Sequence, residues 1–513
     1  MTILKLLFRS FLSTSLALPI IFTTSNLFGN ELVIDEVIVT AEKRAESLQD
    51  VSKAVTALSS EEIERKNLVD FVGLSAIAPG VTVAKNEGYK TIISIRGVGD
   101  ETNQNAIAAP SVALHMDGIF IASKFSLRTD FIDLERIEVL RGPQGTLFGQ
   151  NSTGGTVNVI STAPTFDELS GKVDLTLGDY DLTKARGAVN IPLSDSVATR
   201  FSWVSTDHDG FSENLVTGQD LDDASHSSLR SDWLFDISDS TSLRVFAQYF
   251  EADNNGAAMK GLDDPTPDPR QLRQDSISDY ELTSEVFAGI LTSDLGFANL
   301  KILASMQEDD IYVVRDNDRH NYQDQIVQSI PALPYIYSPP YYTMAEFRPE
   351  TSLVETTTFE INLVSNEPAL GGKLDWTVGA FFMEHEIENH IRGYVDNDQN
   401  GVIRYVCGEA FADPNYCYEH DNSIPARFAV YDAEFDFVTD AFPSRESKSV
   451  FVETSYSFSD TFRLISGLRY SDDTFETDVT NFFYDNFVAE GGGDKVTGRI
   501  TGELDVADET MVY

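Results

Sequence analysis

Basic residues are scarce in this chain: 37 Lys plus Arg stand against 82 Asp plus Glu, for a formal charge of -45 over 513 residues. Binding phosphates needs clustered Lys and Arg, so the shortage excludes a nucleic-acid partner. The surplus acid gathers in polar segments such as Asp220 to Asp223, Asp263 to Asp268 and Glu308, Asp309 and Asp310, which read as solvated loops. Long apolar runs are missing as well. None reaches the roughly 20 residues that a membrane-spanning helix requires. Cysteine is limited to Cys407 and Cys417, whose spacing matches no zinc pattern and suits one local disulfide in an oxidising compartment. The chain lacks a zinc-protease His-Glu pair, a nucleophile elbow and a phosphate loop, and its seven histidines are scattered. That excludes the common hydrolytic and phosphoryl-transfer chemistries and predicts a protein that is not an enzyme.

A secretory leader opens the chain. Lys5 and Arg9 precede an apolar run from Phe11 to Phe22, which gives way to polar Thr23, Thr24, Ser25 and Asn26; such a segment is removed on export, here between Ser25 and Glu31. From Gly171 onward apolar and polar residues alternate in runs, the period of strands with one apolar and one wet face. In Lys373 to Phe382 the side chains of Leu374, Trp376, Val378, Ala380 and Phe382 share one face, against Asp375, Thr377 and Gly379. Phe462, Leu464, Leu468 and Tyr470 repeat the pattern, with Arg463 and Arg469 opposite. Roughly twelve strands and the start of another are expected. Connections alternate in length, short near Pro192, Ser238, Asp294, Ser459 and Ala507, long near Asp253, Tyr335, Asp396 and Glu490. Short turns at one end and long loops at the other are the mark of a transmembrane β-barrel.

Residues Leu140 to Ser161 read LRGPQGTLFGQNSTGGTVNVIS. Gly142, Pro143, Gly145, Gly149, Gly154 and Gly155 crowd between two apolar runs, so the backbone must turn sharply between strands. This segment closely resembles the end of the plug domain of TonB-dependent outer-membrane receptors. Three earlier stretches resemble the same domain in order and spacing: Ile93 to Gly99 with Arg96 and Gly97, Ser111 to Ile119 with Asp117 and Gly118, and Asp133 to Leu140 with Glu135 and Glu138. Val33 to Ala41 resembles the TonB box, and its Ile34, Asp35, Glu36, Val37, Ile38, Val39 and Thr40 suit an extended segment that adds to a partner's sheet edge; the alternative is simply the first strand of the plug. Between them, Ala45 to Gly80 is expected to be helical in two parts, with a capping box from Ser59 to Glu62 before Ile63, Leu68, Phe71 and Leu74. Pro79-Gly80 ends that stretch.

The resemblance implies a signal peptide over 1–30, TonB box and linker over 31–44, a mixed α/β plug over 45–165, and over 166–513 the N-terminal part of an antiparallel barrel of about 22 strands. The run that starts at Met511-Val512-Tyr513 suggests a C-terminally truncated barrel. Arg96, Arg141, Glu135 and Glu138 are expected either to bridge plug and barrel wall or to cap turns within the plug. Family membership implies a bacterial outer-membrane receptor, embedded in lipid, that imports a small-molecule ligand, foremost a ferric siderophore or similar iron chelate, with cobalamin or an oligosaccharide as alternative cargo on the same parts and TonB of the inner-membrane complex as partner. No cofactor is required. A passive plugged porin or surface adhesin, or an inactive remnant, is the alternative. Tyr335, Tyr337, Tyr341 and Tyr342 offer ring faces for a ligand or for the membrane interface. Asp396, Asp398 and Asn400 supply oxygens at alternate positions like the first half of a calcium loop, although Cys407 replaces the closing glutamate. His385 and His390 flank Glu386 and Glu388 near an expected loop and form a weaker metal candidate.

Overall fold

The computed structural model describes residues 38–513 except 41–42, 45, 50, 87–89, 100–109, 124–130, 263, 275, 317–318, 320–345, 396–404, 408–416, 420–428, 432–436, 482–483 and 508–509. The N-terminal part starts with a small hairpin in which β1 (Ile38–Val39) pairs with β2 (Glu46–Ser47). It continues through β3 (Val55–Ser59), α1 (Ser60–Arg65), α2 (Leu74–Ile77), β4 (Val81–Asn86) and β5 (Lys90–Ile95). β6 (Val112–Met116), β7 (Ile119–Ile121), β8 (Leu134–Arg141) and β9 (Gly155–Ser161) complete it. Five of these strands form one sheet in the order β3-β8-β9-β6-β7, in which only β6 and β9 run parallel. Asp117 and Gly118, both at positive φ, make the tight turn between β6 and β7. An Asp-Gly pair fits that left-handed turn.

The helical expectation for Ala45 to Gly80 holds for two short pieces only. Ser59 caps α1 by accepting the Glu62 N–H at 3.3 Å, and Ile63 turns into the core. Upstream, Val55 to Ser59 is instead a strand, because Val55 and Thr56 pair with Leu140 and Val139 of β8; β-branched residues in a sheet edge override a local helical preference. Leu58, Ile63, Leu74, Ile95, Ile137, Val139 and Val157 pack as one buried cluster around this sheet. Each fully buried aliphatic side chain contributes about 1.5–3 kcal/mol.

The remaining chain is a meander of long antiparallel strands. It runs β10 (Ser170–Leu177), β11 (Thr183–Ser194) and β12 (Val197–His208), then the loop strands β13 (Ser212–Asn214) and β14 (Asp220–Leu221). β15 (Ala224–Ser238), β16 (Thr241–Asn254), the loop strand β17 (Gln271–Leu272), β18 (Asp279–Asp294), β19 (Ala298–Asp316) and β20 (Glu346–Ser365) follow. After α3 (Ala369–Gly372) come β21 (Leu374–Val395), the loop strands β22 (Tyr405–Cys407), β23 (Cys417–Glu419) and β24 (Ala429–Tyr431), then β25 (Phe437–Ser457), β26 (Phe462–Asn481), β27 (Tyr484–Ala507) and β28 (Thr510–Val512). Apart from the loop strands these form a single 13-stranded sheet in sequence order. Twelve long strands and the start of another were the sequence expectation.

Connections sort by end as predicted: 195–196, 239–240, 295–297 and 458–461 are short, whereas 209–223, 255–278, 317–345 and 396–436 are long. One expected long connection is absent. Glu490 lies inside β27 opposite Glu476, and only residues 482–483 join β26 to β27. Its acidic, glycine-rich composition reads as a loop, yet Gly491 faces Phe475 so closely that a Cβ there would come 2.3 Å from the ring; bare glycine makes room for the aromatic across the strand. Inner and outer faces alternate along the strands. In β21 the residues Thr377, Gly379, Phe381 and Met383 are buried, while Trp376, Val378, Ala380 and Phe382 are more exposed, as the pattern required.

Candidate functional site at the plug and barrel junction

Charges enclosed between two packed bodies need partners, and the junction supplies them in a few discrete clasps. The first lies where the N-terminal segment enters. Val39 is fully buried against Val51, Leu140, Leu147, Phe148 and Phe451. Thr40 donates its N–H to Glu138 Oε1 at 2.9 Å, and its hydroxyl donates to the same carboxylate. Glu138 is itself fully buried on β8, where the Arg136 guanidinium donates to it at 2.7 Å. Three residues further on, Lys43 pairs with Glu360 of β20 and lies over the rings of Phe148 and Phe451. Arg44 pairs with Asp375 of β21 at 2.7 Å and donates to Ser365. Burial pushes the Lys43 ammonium below its usual range, while Glu360 opposes that shift. His115 of β6 is wedged edge-on against Phe120 and Phe148. Burial, reinforced by Lys43, pushes its pKa down to about 3, so the ring is neutral.

A second clasp closes on the turn between β6 and β7. Asp117 accepts the Ser161 N–H at 3.0 Å and its hydroxyl at 2.8 Å, and Arg230 of β15 donates to it at 2.7 Å. Arg244 of β16 reaches Ser161 at 2.7 Å and Asp232 at 2.6 Å, with Asp117 at 3.5 Å. The Arg230 guanidinium also stacks on Phe246 at 3.8 Å. Two carboxylates and two guanidiniums therefore cancel in a buried cluster. Burial alone would raise the Asp117 carboxyl, but Arg244, Arg230 and Ser161 hold it below the usual carboxylate range. Nearby, Asp133 accepts two N–H groups of Arg200 and the hydroxyl of Ser202, both on β12.

The glycine-rich segment forms the third contact. Gln150 donates to Asp473 of β26 at 2.8 Å, and Gly149, at φ +73°, lies flat against the Arg469 guanidinium, so that a Cβ would meet it at 2.4 Å. Gly149→Ala therefore carries a left-handed strain of about 1–2 kcal/mol and obliges the Arg469 guanidinium to shift away from the added Cβ. Calorimetry in detergent should show a clear drop in melting temperature for Gly149→Ala. Gly145→Ala, whose Cβ meets nothing within 4 Å, should melt like the parent.

Several sequence-predicted residues play other parts. Arg141 donates to the carbonyls of Ala54 and Pro79, Glu135 pairs with Arg136, and Arg96 is exposed, with its N–H on the Gly80 carbonyl. With Glu138 on Thr40, none of the four bridges to the wall among the described residues; each serves a turn or strand of the plug. The bridging uses Lys43, Arg44, Asp117, Asp133 and Gln150, together with Glu64 on Lys172, Lys90 near Glu350 and the Phe120 carbonyl on Gln307. Ile38, Val39 and Thr40 are folded in, whereas Ile34 to Val37 lie outside the described residues. So do Tyr335, Tyr337, Tyr341, Tyr342, Asp396, Asp398 and Asn400. Cys407 and Cys417 face each other directly across β22 and β23. His385 and His390 are in strand β21, not near a loop turn: His385 shares a hydrogen bond with Thr356, and His390 sits between Asp440 and Glu388. Among the described residues no group of three or more His, Cys, Asp or Glu is arranged to hold a metal ion.

Residues 47–156 match the model of the TonB-dependent receptor plug domain. The iron-regulated outer membrane virulence protein of Vibrio cholerae is 30% identical over 209 residues, covering 38% of this chain and 31% of the relative. The ferric enterobactin receptor PirA of Pseudomonas aeruginosa is 27% identical over 245 residues, covering 39% of this chain and 32% of its own length. The crystal structure of the ferric yersiniabactin uptake receptor FyuA from Yersinia pestis superposes with a TM-score of 0.69 at 15% identity, covering 89% of this chain and 62% of that one. The sequence matches thus span about a third of the curated relatives.

Proposed function

We propose, from the premise that this chain belongs to the TonB-dependent outer-membrane receptors by its plug domain, that it imports a ferric siderophore into the periplasm. The thirteen strands would be the first part of a barrel of the type with about 22 strands. TonB takes hold of the 34–40 segment by strand addition at its N-terminal end, ahead of the paired Ile38 and Val39, and the energised inner membrane draws the segment inward. The observation that carries this reading is the layout of residues 38–44. Val39 and Thr40 are held by the plug, while Lys43 and Arg44 are held by the wall, so one segment ties both bodies to whatever grasps its N-terminal end. Polar clasps suit such work, because ion pairs can be broken and remade singly, unlike an apolar core. Tyr335, Tyr337, Tyr341 and Tyr342 supply ring faces on which a flat chelate stacks.

Support for iron as the cargo comes from the relatives, whose names include an iron-regulated protein and a ferric enterobactin receptor. The test is uptake of radiolabelled ferric enterobactin, and of a panel of other ferric chelates, into cells that depend on this receptor. Accumulation of one chelate should stop when a protonophore collapses the proton-motive force, while surface binding persists. Uptake that survives the protonophore would instead mark a passive porin, and no accumulation of any chelate would remove iron as cargo.

A further inference from the structure

Glu360 is buried on the inner face of β20 and depends on Lys43 for its counter-charge. Lys43 belongs to the very segment that a pull would remove. A buried carboxylate deprived of its cation is strongly unfavourable, so withdrawal needs a replacement. Asn362 donates to Glu360 at 2.5 Å but brings no charge. Two other cations or near-cations face Glu360 and both are committed. Arg469 is bound to Ser449 and Ser471 and stacked near Phe381 and Phe451. His115 is pinned between Phe120 and Phe148.

Lys301 is different. On β19, Leu303 pairs with Glu360 and Lys301 pairs with Asn362, which makes Lys301 the diagonal neighbour of Glu360 on the same inner face. Such diagonals lie about 7–8 Å apart, within reach of a long side chain. Lys301 has no ion pair or hydrogen bond among the described residues. Its ammonium sits beside Gly118 of the plug turn, 3.7 Å from where a Cβ on that glycine would be. Glu360 and, less strongly, Asp117 attract it, while Lys43 and Arg244 repel it.

We propose that Lys301 is the standby counter-ion of Glu360: as Lys43 is drawn out, Lys301 crosses the strand diagonal and takes the vacated carboxylate. This rests on the reading of residues 38–44 as the segment that TonB pulls. Glu360 then keeps a cation in both states, and the returning Lys43 displaces Lys301 to restore the first. Repulsion between the two lysines keeps both from holding Glu360 at once.

The experiment uses the full protein in detergent with Val39→Cys as reporter, since Val39 is fully buried when the segment is docked. Modification by a bulky maleimide, read by mass spectrometry on the peptide containing residue 39, then measures spontaneous withdrawal. Lys301→Met should slow labelling about tenfold, equivalent to about 1.4 kcal/mol, and Lys301→Arg should keep the parental rate. Lys301→Gln gives the same reading should the Met variant fail to fold. In a Glu360→Gln background, where no carboxylate needs a cation, Lys301→Met should change nothing. Equal rates for the parent and Lys301→Met, or a slowing that persists with Glu360→Gln, would overturn the proposal. Labelling needs neither TonB nor ligand. The import reading fails separately, if cells lacking residues 34–40 still take up ligand.

Discussion

Deleting residues 34–40 should abolish energised uptake and leave ligand binding at the cell surface unchanged. Capture by strand addition uses main-chain N–H and C=O groups, so it fails without the segment, and a single proline at Val37 should remove much of it by deleting a donor. The folded half of the segment sharpens the expectation. Ile38 and Val39 already pair with Ser47 and Glu46, so a partner must grip the chain ahead of them and peel the rest. On the proposed import reading, load would travel in chain order. It meets the Thr40 bonds to Glu138 first, then Lys43 on Glu360 and Arg44 on Asp375. Each clasp fails alone, at a cost of a few kcal/mol, rather than all at once. Uptake measured with a ferric chelate and binding measured on whole cells decide the matter: if the deletion lowers both together, the segment serves folding, and if it lowers neither, TonB coupling is the wrong mechanism.

The architecture was legible because two-residue alternation and sorted loop lengths are properties of local sequence. Leu374 to Phe382 and Phe462 to Tyr470 face as their pattern requires, and Arg469 is buried on the inner side. The plug was legible through its glycines, which mark backbone conformations that other residues reach only with strain; Gly142, Gly149 and Gly155 all have positive φ. The junction was much less so. Asp117 reads as an ordinary turn residue, and its second role appears only when β15 and β16 bring Arg230 and Arg244 against it from more than a hundred residues away. Lys43 and Arg44 sit in a stretch that reads as linker. One signal was available: in a chain so poor in basic residues, arginines on the inner faces of strands, such as Arg200, Arg230 and Arg244, have to be answering acids on whatever fills the lumen. The strand at Val55–Ser59 is illegible for the same reason, since its pairing with β8 is a long-range contact that no local propensity encodes.

Asp117→Ala should cost about 3–5 kcal/mol, the penalty for leaving buried guanidinium charge without its partner. Arg230 and Arg244 would then share Asp232 alone, and Ser161 would lose the acceptor for both its N–H and its hydroxyl. Calorimetry in detergent should show the plug melting before the barrel, and limited proteolysis should cut the plug at temperatures the parent resists. Asp117→Asn should be nearly as damaging, since it restores hydrogen bonds but not charge. Pairing Asp117→Asn with Arg244→Met re-balances the cluster at one cation and one anion, and should recover most of the loss; strongly non-additive behaviour of this kind is the signature of a shared network. Acid offers an independent check on the sign. A carboxyl held below its usual value in the folded state stabilises fully above about pH 4, and that contribution is lost as the pH falls through the lowered value. The plug of the parent should therefore loosen in strong acid, while the charge-balanced double variant, with no carboxylate at 117, should lose this part of its pH dependence. If Asp117→Ala melts like the parent, the clasp between plug turn and wall holds nothing, and the apolar contacts of Ile119 with Phe246, Val286 and Leu303 must hold this side of the plug instead.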